Sequence, residues 1–269
     1  MKRKAVSGLR YVFLTIVSLF SVFPLYWMLI AATNKNADII RGALLPGLNL
    51  VENYKTMLAS QRIWPAMRTS FLIALGTTLI ALLVCSIAGY GFEIYHSRNK
   101  DRLMTVLLMA MMVPFAATMI PLFQMFSSMR MINNIFAVIL PTVSTPFLIM
   151  MFRQSARSFP HDIIEAARID GLAEIGIFFR MFFPTMRSTY AAAMTIVFMN
   201  AWNNYLWPKI ILQTDVLTMP MAVSNMIQGY LTDYGAIMTA VLICTLPTVI
   251  VFFVLQRSFA EGITGSVKQ

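Results

Sequence analysis

Charge is what this sequence has least of. Asp, Glu, Lys and Arg make up 12% of its 269 residues, where a soluble domain carries about a quarter. So few charges cannot cover a water-facing surface. With 58% hydrophobic residues and a mean hydropathy of +0.72, most of the surface must face lipid. Histidine is nearly missing as well. His96 and His161 lie in separate loops with no Cys or carboxylate pattern around them, which leaves no basis for a metal centre. The two cysteines, Cys85 and Cys244, both sit inside apolar runs and read as small buried hydrophobes, not as a disulfide framework. No G-x-x-x-x-G-K-[ST] loop is present, so the chain cannot cradle ATP phosphates by itself. Ionisable groups are almost absent from the apolar runs, which argues against proton or sodium coupling through carboxylates. No clustered His/Asp/Glu set suggests a membrane-embedded enzyme, and no convincing internal repeat suggests a secondary transporter. The net charge of +10 would point to nucleic acid in a soluble protein. In a lipid-facing chain it reports Lys and Arg gathered on one side of the membrane.

What is present is a set of six stretches free of Asp, Glu, Lys and Arg: 11–34, 69–92, 103–129, 131–152, 188–208 and 234–256. A bilayer core of about 30 Å needs ~20 helical residues, and unpaired backbone is not tolerated in lipid. The expectation is an all-α, polytopic membrane protein forming a single transmembrane domain over 1–269. Its helices are placed at about 11–32, 69–92, 103–127, 133–152, 188–208 and 234–256. Lys2-Arg3-Lys4 before the first run resembles a signal peptide. That run is longer than a signal core of 7–15 residues, however, and is read as a retained helix. With the N-terminus in the cytoplasm, 14 Lys and Arg fall on that side and 7 on the other, over longer loops. The bias puts both termini inside, with a cytoplasmic loop at 153–187 and a cytoplasmic tail at 257–269.

That loop contains Asp162 to Pro184, the only long charge-bearing segment between two apolar runs. Pro160 suits the first turn of a helix, and Asp162 and Glu165 suit its positive end. Ile163, Ala166 and Ala167 fall at i, i+3 and i+4 and would form one narrow face of small residues. Gly171 stands where a left-handed helix ending costs least. A second short helix would follow, with Phe178, Phe179, Phe182 and Phe183 on one side. Two such helices at an angle can sit in a groove of another protein.

Elsewhere, Asn200-Ala-Trp-Asn-Asn-Tyr205 places Asn200, Asn203 and Asn204 in the fifth run, where they are costly unless they face protein or water. Two readings fit. They line a solute path, with Trp202 and Tyr205 as sugar-stacking groups, or they make interhelical hydrogen bonds within an aromatic belt. Pro114, Pro121, Pro141, Pro146 and Pro247 interrupt their helices, and Ser86, Gly89 and Gly91 permit close helix approach. Asn49–Leu58 in the outer loop 35–68 is spaced for a short surface helix. The outer loop 209–233 would either enter a partner protein or pack as a lid.

Glu165-Ala166-Ala167, Gly171, Met181, Phe183 and Pro184 read together as EAA-x3-G-x9-M-x-F-P. This resembles the EAA loop of ABC-importer permeases, E-A-A-x3-G-x9-I-x-L-P. The ending Gly262-x-Thr264-Gly265-x-x-Lys268 resembles that of carbohydrate permeases of the maltose-transporter type. FPLYWML (Phe23–Leu29) and AWNNYLWP (Ala201–Pro208) extend the likeness over nearly the whole chain, nearest to the second permease of lactose- and arabinose-type importers. The resemblance implies the type I ABC importer permease fold with six transmembrane helices. It also implies ATPase coupling through Glu165, Ala166, Ala167, Asp170, Gly171 and Pro184, with a tail contact through Gly262, Thr264, Gly265 and Lys268. The implied partners are a second homologous permease, two ATPase subunits at the cytoplasmic face, an extracytoplasmic solute-binding protein and membrane lipid, without nucleic acid. ATP and Mg would be bound by the ATPase, with no cofactor in this chain. The implied solute is a di- or oligosaccharide imported across a bacterial plasma or inner membrane. In the maltose system the sugar site belongs to the partner permease, which implies few sugar contacts here. Another small polar solute such as glycerol 3-phosphate is the alternative.

Overall fold

The apolar runs have the length and composition of membrane helices, and helices are what they form. The structure, a computed structural model, describes residues 2–213, 215–229 and 232–264, without the side chains of 2–9 and 257–264. Among the described residues every regular element is helical. In order they are α1 (Lys2–Thr33), α2 (Asn36–Ile40), α3 (Leu50–Ser60), α4 (Ile63–Ile94), α5 (Arg98–Ala110) and α6 (Phe115–Ser128). Next come α7 (Ile135–Ile139) with a 3-10 turn at Leu140–Thr142, α8 (Pro146–Ala156), α9 (His161–Ile169) and α10 (Glu174–Ile177). A π-turn at Phe178–Phe182 leads to α11 (Phe183–Thr185), α12 (Arg187–Trp202), α13 (Leu206–Ile211), α14 (Met219–Ile227) and α15 (Tyr234–Thr264).

Three stretches, Arg10–Thr33, Ile63–Ile94 and Tyr234–Gln256, are each long and apolar enough to cross a membrane as one helix. Two helix pairs are apolar and long enough only when taken together, and each is bent at a short break: α5 with α6 at 99°, and α7 with its 3-10 turn and α8 at 48°. The stretches 103–127 and 133–152, expected as single helices, are therefore broken, and proline is the reason. Pro114 is the extended N-cap of α6, and Pro146 opens α8 after an extended Thr145. A residue before proline is pushed out of the α region, so the chain turns there. Pro121 and Pro247, by contrast, are carried inside continuous helices. The stretch 188–208 also departs from one helix. α12 has 16 residues, about 24 Å of rise, and stops at Trp202. Pro208 falls instead in the first turn of α13, where its missing N–H costs nothing.

The chain forms two compact units, one of Met1–Trp64 with Met219–Leu246 and the other of Pro65–Thr218 with Pro247–Gln269. In the first, asparagines make the joints. Asn53 on α3 is buried and donates to the carbonyls of Ala32 (2.8 Å) and Asn34 (2.9 Å), which α1 leaves unpaired at its end. Asn34 donates to Ile30 and Leu45. Asn36 reaches across 196 residues of sequence to the Thr232 carbonyl, and its Oδ1 accepts the Tyr234 amide. Gly235 lies flat against Asn53, since a Cβ there would stand 2.6 Å from the amide. Within the segment 209–233, α14 belongs to this unit and buries Met219, Met221, Ala222 and Met226.

The second unit is built on aromatic packing. Tyr90, Phe152, Phe159, Phe178, Phe182 and Tyr190 form one buried cluster. Gly89 lets α4 press against α8, where a Cβ would stand 2.6 Å from that of Phe152.

Candidate functional site

The segment after α8 folds as a helix, a left-handed turn and a second helical piece. Pro160 caps α9 in extended geometry, with Asp162 in the first turn and Arg168 in the last, both matching the helix dipole. At the other end Gly171 has φ +80°. Its amide donates to Arg168 (3.0 Å) and that of Leu172 donates to Ala167 (3.0 Å). These are the two bonds of a Schellman ending, completed by Leu172 packing on the aromatic cluster. Beyond the turn, Glu174 opens α10 and pairs with Arg168 at 2.7 Å, fixing one helix against the next. The Arg168 guanidinium holds the Glu174 carboxyl below the usual carboxylate value. Pro184 has no amide to return to Arg180, and the chain widens into the π-turn just before it.

The two faces of α9 differ from the expected small-residue face. Ile164 and Ala167 are the buried pair, with Ala167 4% exposed against the protein's own core. Glu165, Ala166, Asp170 and Ile169 face outward, Ile169 with 86% of its surface free. Ala167 therefore holds α9 to this chain and is not part of the outward face. The Phe run divides likewise, because a π-turn does not keep the α-helical period. Phe178 and Phe182 pack around Tyr90 at 5.4 and 4.9 Å, while Phe179 and Phe183 stay half-exposed.

Beneath this segment is an ion cluster that the sequence reading missed. Arg153, 4% exposed at the end of α8, donates through Nε to Glu93 (3.0 Å) and through Nη2 to Asp101 (2.6 Å). Arg157 also reaches Glu93 at 3.3 Å, and His96 lies 2.9 Å from Asp101. One fork thus ties together α4, α5 and α8, the helix that leads into α9. The only available signal was that Glu93 and Arg153 each border an apolar run and Asp101 stands two residues before another. Spacing alone could not pair them.

The asparagine run separates by role. Asn200 and Asn204 line a cleft of about 340 Å³ together with Thr77, Thr142, Thr145 and Phe147. Asn203 is exposed outside that lining, and Tyr205 is half-buried. Trp202 does not present a face to solute: it is 1% exposed and stacks on Phe198 at 5.8 Å, with Phe71 edge-on at 6.4 Å. Interior packing explains that tryptophan. In the tail, Gly262 and Thr264 belong to the end of α15. Gly265 and Lys268 lie outside the described residues, as do the side chains of the other two. No group of three or more His, Cys, Asp or Glu able to hold a metal occurs among the described residues.

Among the described residues the protein is all-helical, with three helices long and apolar enough to cross a membrane and an exposed helix–turn–helix at α9–α10. The chain belongs to the family of binding-protein-dependent transport system inner membrane components, whose profile matches residues 87–265. It is 43% identical over 269 residues to the lactose transport system permease protein LacG of Rhizobium radiobacter, covering 100% of this chain and 98% of that one. It is 31% identical over 263 residues to the arabinooligosaccharides transport system permease protein AraQ of Bacillus subtilis, covering 95% and 94%. A chain in the crystal structure of a bacterial ABC transporter involved in the import of the acidic polysaccharide alginate shares the fold. The TM-score is 0.84 at 18% identity, over 96% of this chain and 98% of that chain. The fold is thus the type I permease fold of ABC importers, and its place is a membrane.

Proposed function

We propose that this chain is one of two permease subunits of an ATP-driven importer for a neutral di- or oligosaccharide. On this reading the whole chain acts as one transmembrane permease in a bacterial plasma or inner membrane, with both termini in the cytoplasm. Two ATPase subunits, which hold the ATP and Mg, dock on α9–α11 through Glu165, Ala166, Asp170 and the turn at Gly171. Pro184 ends the coupling segment, and the tail from Gly262 to Lys268 makes a further ATPase contact. A solute-binding protein delivers sugar from outside. The observation that carries this reading is the outward face of α9, held at a fixed angle by the Gly171 turn and the Arg168–Glu174 pair. ATP-driven closure of the partner would move that rigid piece, and α8, tied to α4 and α5 through Arg153, would pass the motion on as alternating access. A saccharide is favoured because relatives at 43% and 31% identity are named for lactose and arabinooligosaccharides. The relatives named for sn-glycerol 3-phosphate stand at 27%.

The test is reconstitution of the complete transporter in proteoliposomes. Saccharide-loaded binding protein should raise ATP hydrolysis, and saccharide uptake should need ATP. Uptake without ATP, or stimulation by glycerol 3-phosphate and by no saccharide, would overturn the proposal.

A further inference from the structure

The geometry points to a sugar-ring subsite inside this chain: the cleft lined by α4, α8 and α12, with Thr77 as its buried hydrogen-bonding anchor. This deepens the saccharide reading above and rests on it. Thr77 is 2% exposed, and its hydroxyl has no partner in the protein. Its neighbour Thr78 shows the ordinary alternative, returning its hydroxyl to the Ala74 carbonyl at 2.6 Å. Thr77 makes no such bond and lines the cleft. Asn200 and Asn204 line it too, and no hydrogen bond from either amide side chain to protein occurs among the described residues. Polar groups inside a membrane protein are retained where water or ligand meets them.

The chemistry of the lining selects among solutes. A hydroxyl donates and accepts, and each carboxamide offers two donors and a carbonyl oxygen. Sugar hydroxyls need that mixture, one partner of each kind. Phe147, half-exposed, and Val197 supply apolar surface for the C–H faces of a ring. No Asp, Glu, Lys or Arg lines the cleft. A phosphate ester would enter with its charge unpaired, which a low-dielectric site penalises heavily. A volume of about 340 Å³ is at the small end of ligand sites, which run roughly 300–1,000 Å³. It suits the end of a neutral saccharide.

The complete transporter in proteoliposomes, with its binding protein, tests the assignment using labelled lactose, maltose, arabinooligosaccharides and glycerol 3-phosphate. The quantity read is solute moved per ATP hydrolysed, which does not depend on the amount of folded complex. Thr77→Val keeps the shape and removes the hydroxyl, and should lower that ratio roughly 2- to 10-fold for the transported saccharide. Asn200→Ala combined with Asn204→Ala should lower it further. If the parent moves a saccharide and both variants keep the parental ratio, the cleft is not a subsite, while the saccharide reading stands. A fall in uptake matched by an equal fall in ATP turnover would also overturn the assignment, because it marks a structural role. A parent that moves glycerol 3-phosphate alone, or none of the panel, overturns both readings.

Discussion

Near the C-terminal end of α4, Glu93 meets Arg153 and Arg157, and Arg153 goes on to Asp101. Sixteen residues earlier on the same helix, roughly 24 Å along its axis, Thr77 has a hydroxyl with no protein partner, near two asparagine side chains equally without one. The first region pairs its buried charges with each other and adjoins the aromatic cluster of Tyr90, Phe152, Phe178, Phe182 and Tyr190. The second leaves uncharged polar groups open. The difference separates two demands on a transporter. A segment that passes on force must not deform, so its buried charges are paired with each other. A path must exchange one hydrogen-bond partner for another, so its groups must be available and must carry no charge that would hold the solute.

Breaking the closed region should have the largest effect. Arg153→Met removes the fork and leaves the largely buried Glu93 without its main partner. Removing one member of a buried ion pair costs about 3–5 kcal/mol, so the purified variant should melt well below the parent and yield less assembled complex. Next is Glu165→Gln on the outward face of α9, where charge is lost with size kept. A charge-assisted contact contributes about 1.5–3 kcal/mol, so ATPase subunits should dissociate roughly 10- to 150-fold more readily. A salt series during purification reads this directly, and equal retention of ATPase by parent and variant would mean the contact is not electrostatic. Gly171→Ala should cost somewhat less, about 1–2 kcal/mol, because a Cβ meets nothing within 4 Å but φ +80° stays strained. It should give an assembled complex with slower uptake, and normal uptake would show that the turn tolerates side chains.

The smallest effect is one of pH. The Glu174 carboxyl titrates below its ordinary value of 4.5 because Arg168 favours the charged form. A depressed acid stabilises above its unfolded value and loses that contribution as pH falls through the folded one. The melting difference between parent and Glu174→Gln should therefore hold steady from pH 7 to about 5 and close below 4.5. A difference that changes between pH 7 and 6 would contradict the pairing.

Much of the closed region was legible because its signals are local. Gly171 after an amphipathic stretch, and acid before base along α9, each have a meaning within a few residues. The break at Pro114 and the continuity at Pro121 were not separable, because both prolines lie in the same uncharged run and tertiary packing decides which one bends. The faces of α9 were misjudged at Ala167 for a related reason. A small residue suits close approach to a partner and close packing at home equally well, and only Ile164 beside it shows which applies. The Arg153 cluster joins residues 52 and 60 positions apart, and no periodicity encodes such a pairing. The open cleft was half-visible: the asparagines stood out, whereas Thr77 looked like any other threonine in a membrane helix.

Gly235 and the split construction of the first unit bear on how the protein is made. Its early segment ends at Trp64 and its late segment begins at Met219. At ~5–20 residues per second of synthesis, the ribosome needs on the order of ten to thirty seconds to supply the missing part. During that interval Asn53 can already pair with the end of α1, since both belong to the early segment. The late helix then has to slide in against an amide that is already set, and a glycine without a side chain is the residue that can pass it. Without a side chain, Gly235 leaves the room that the late segment of this unit needs to close on Asn53 of the early one.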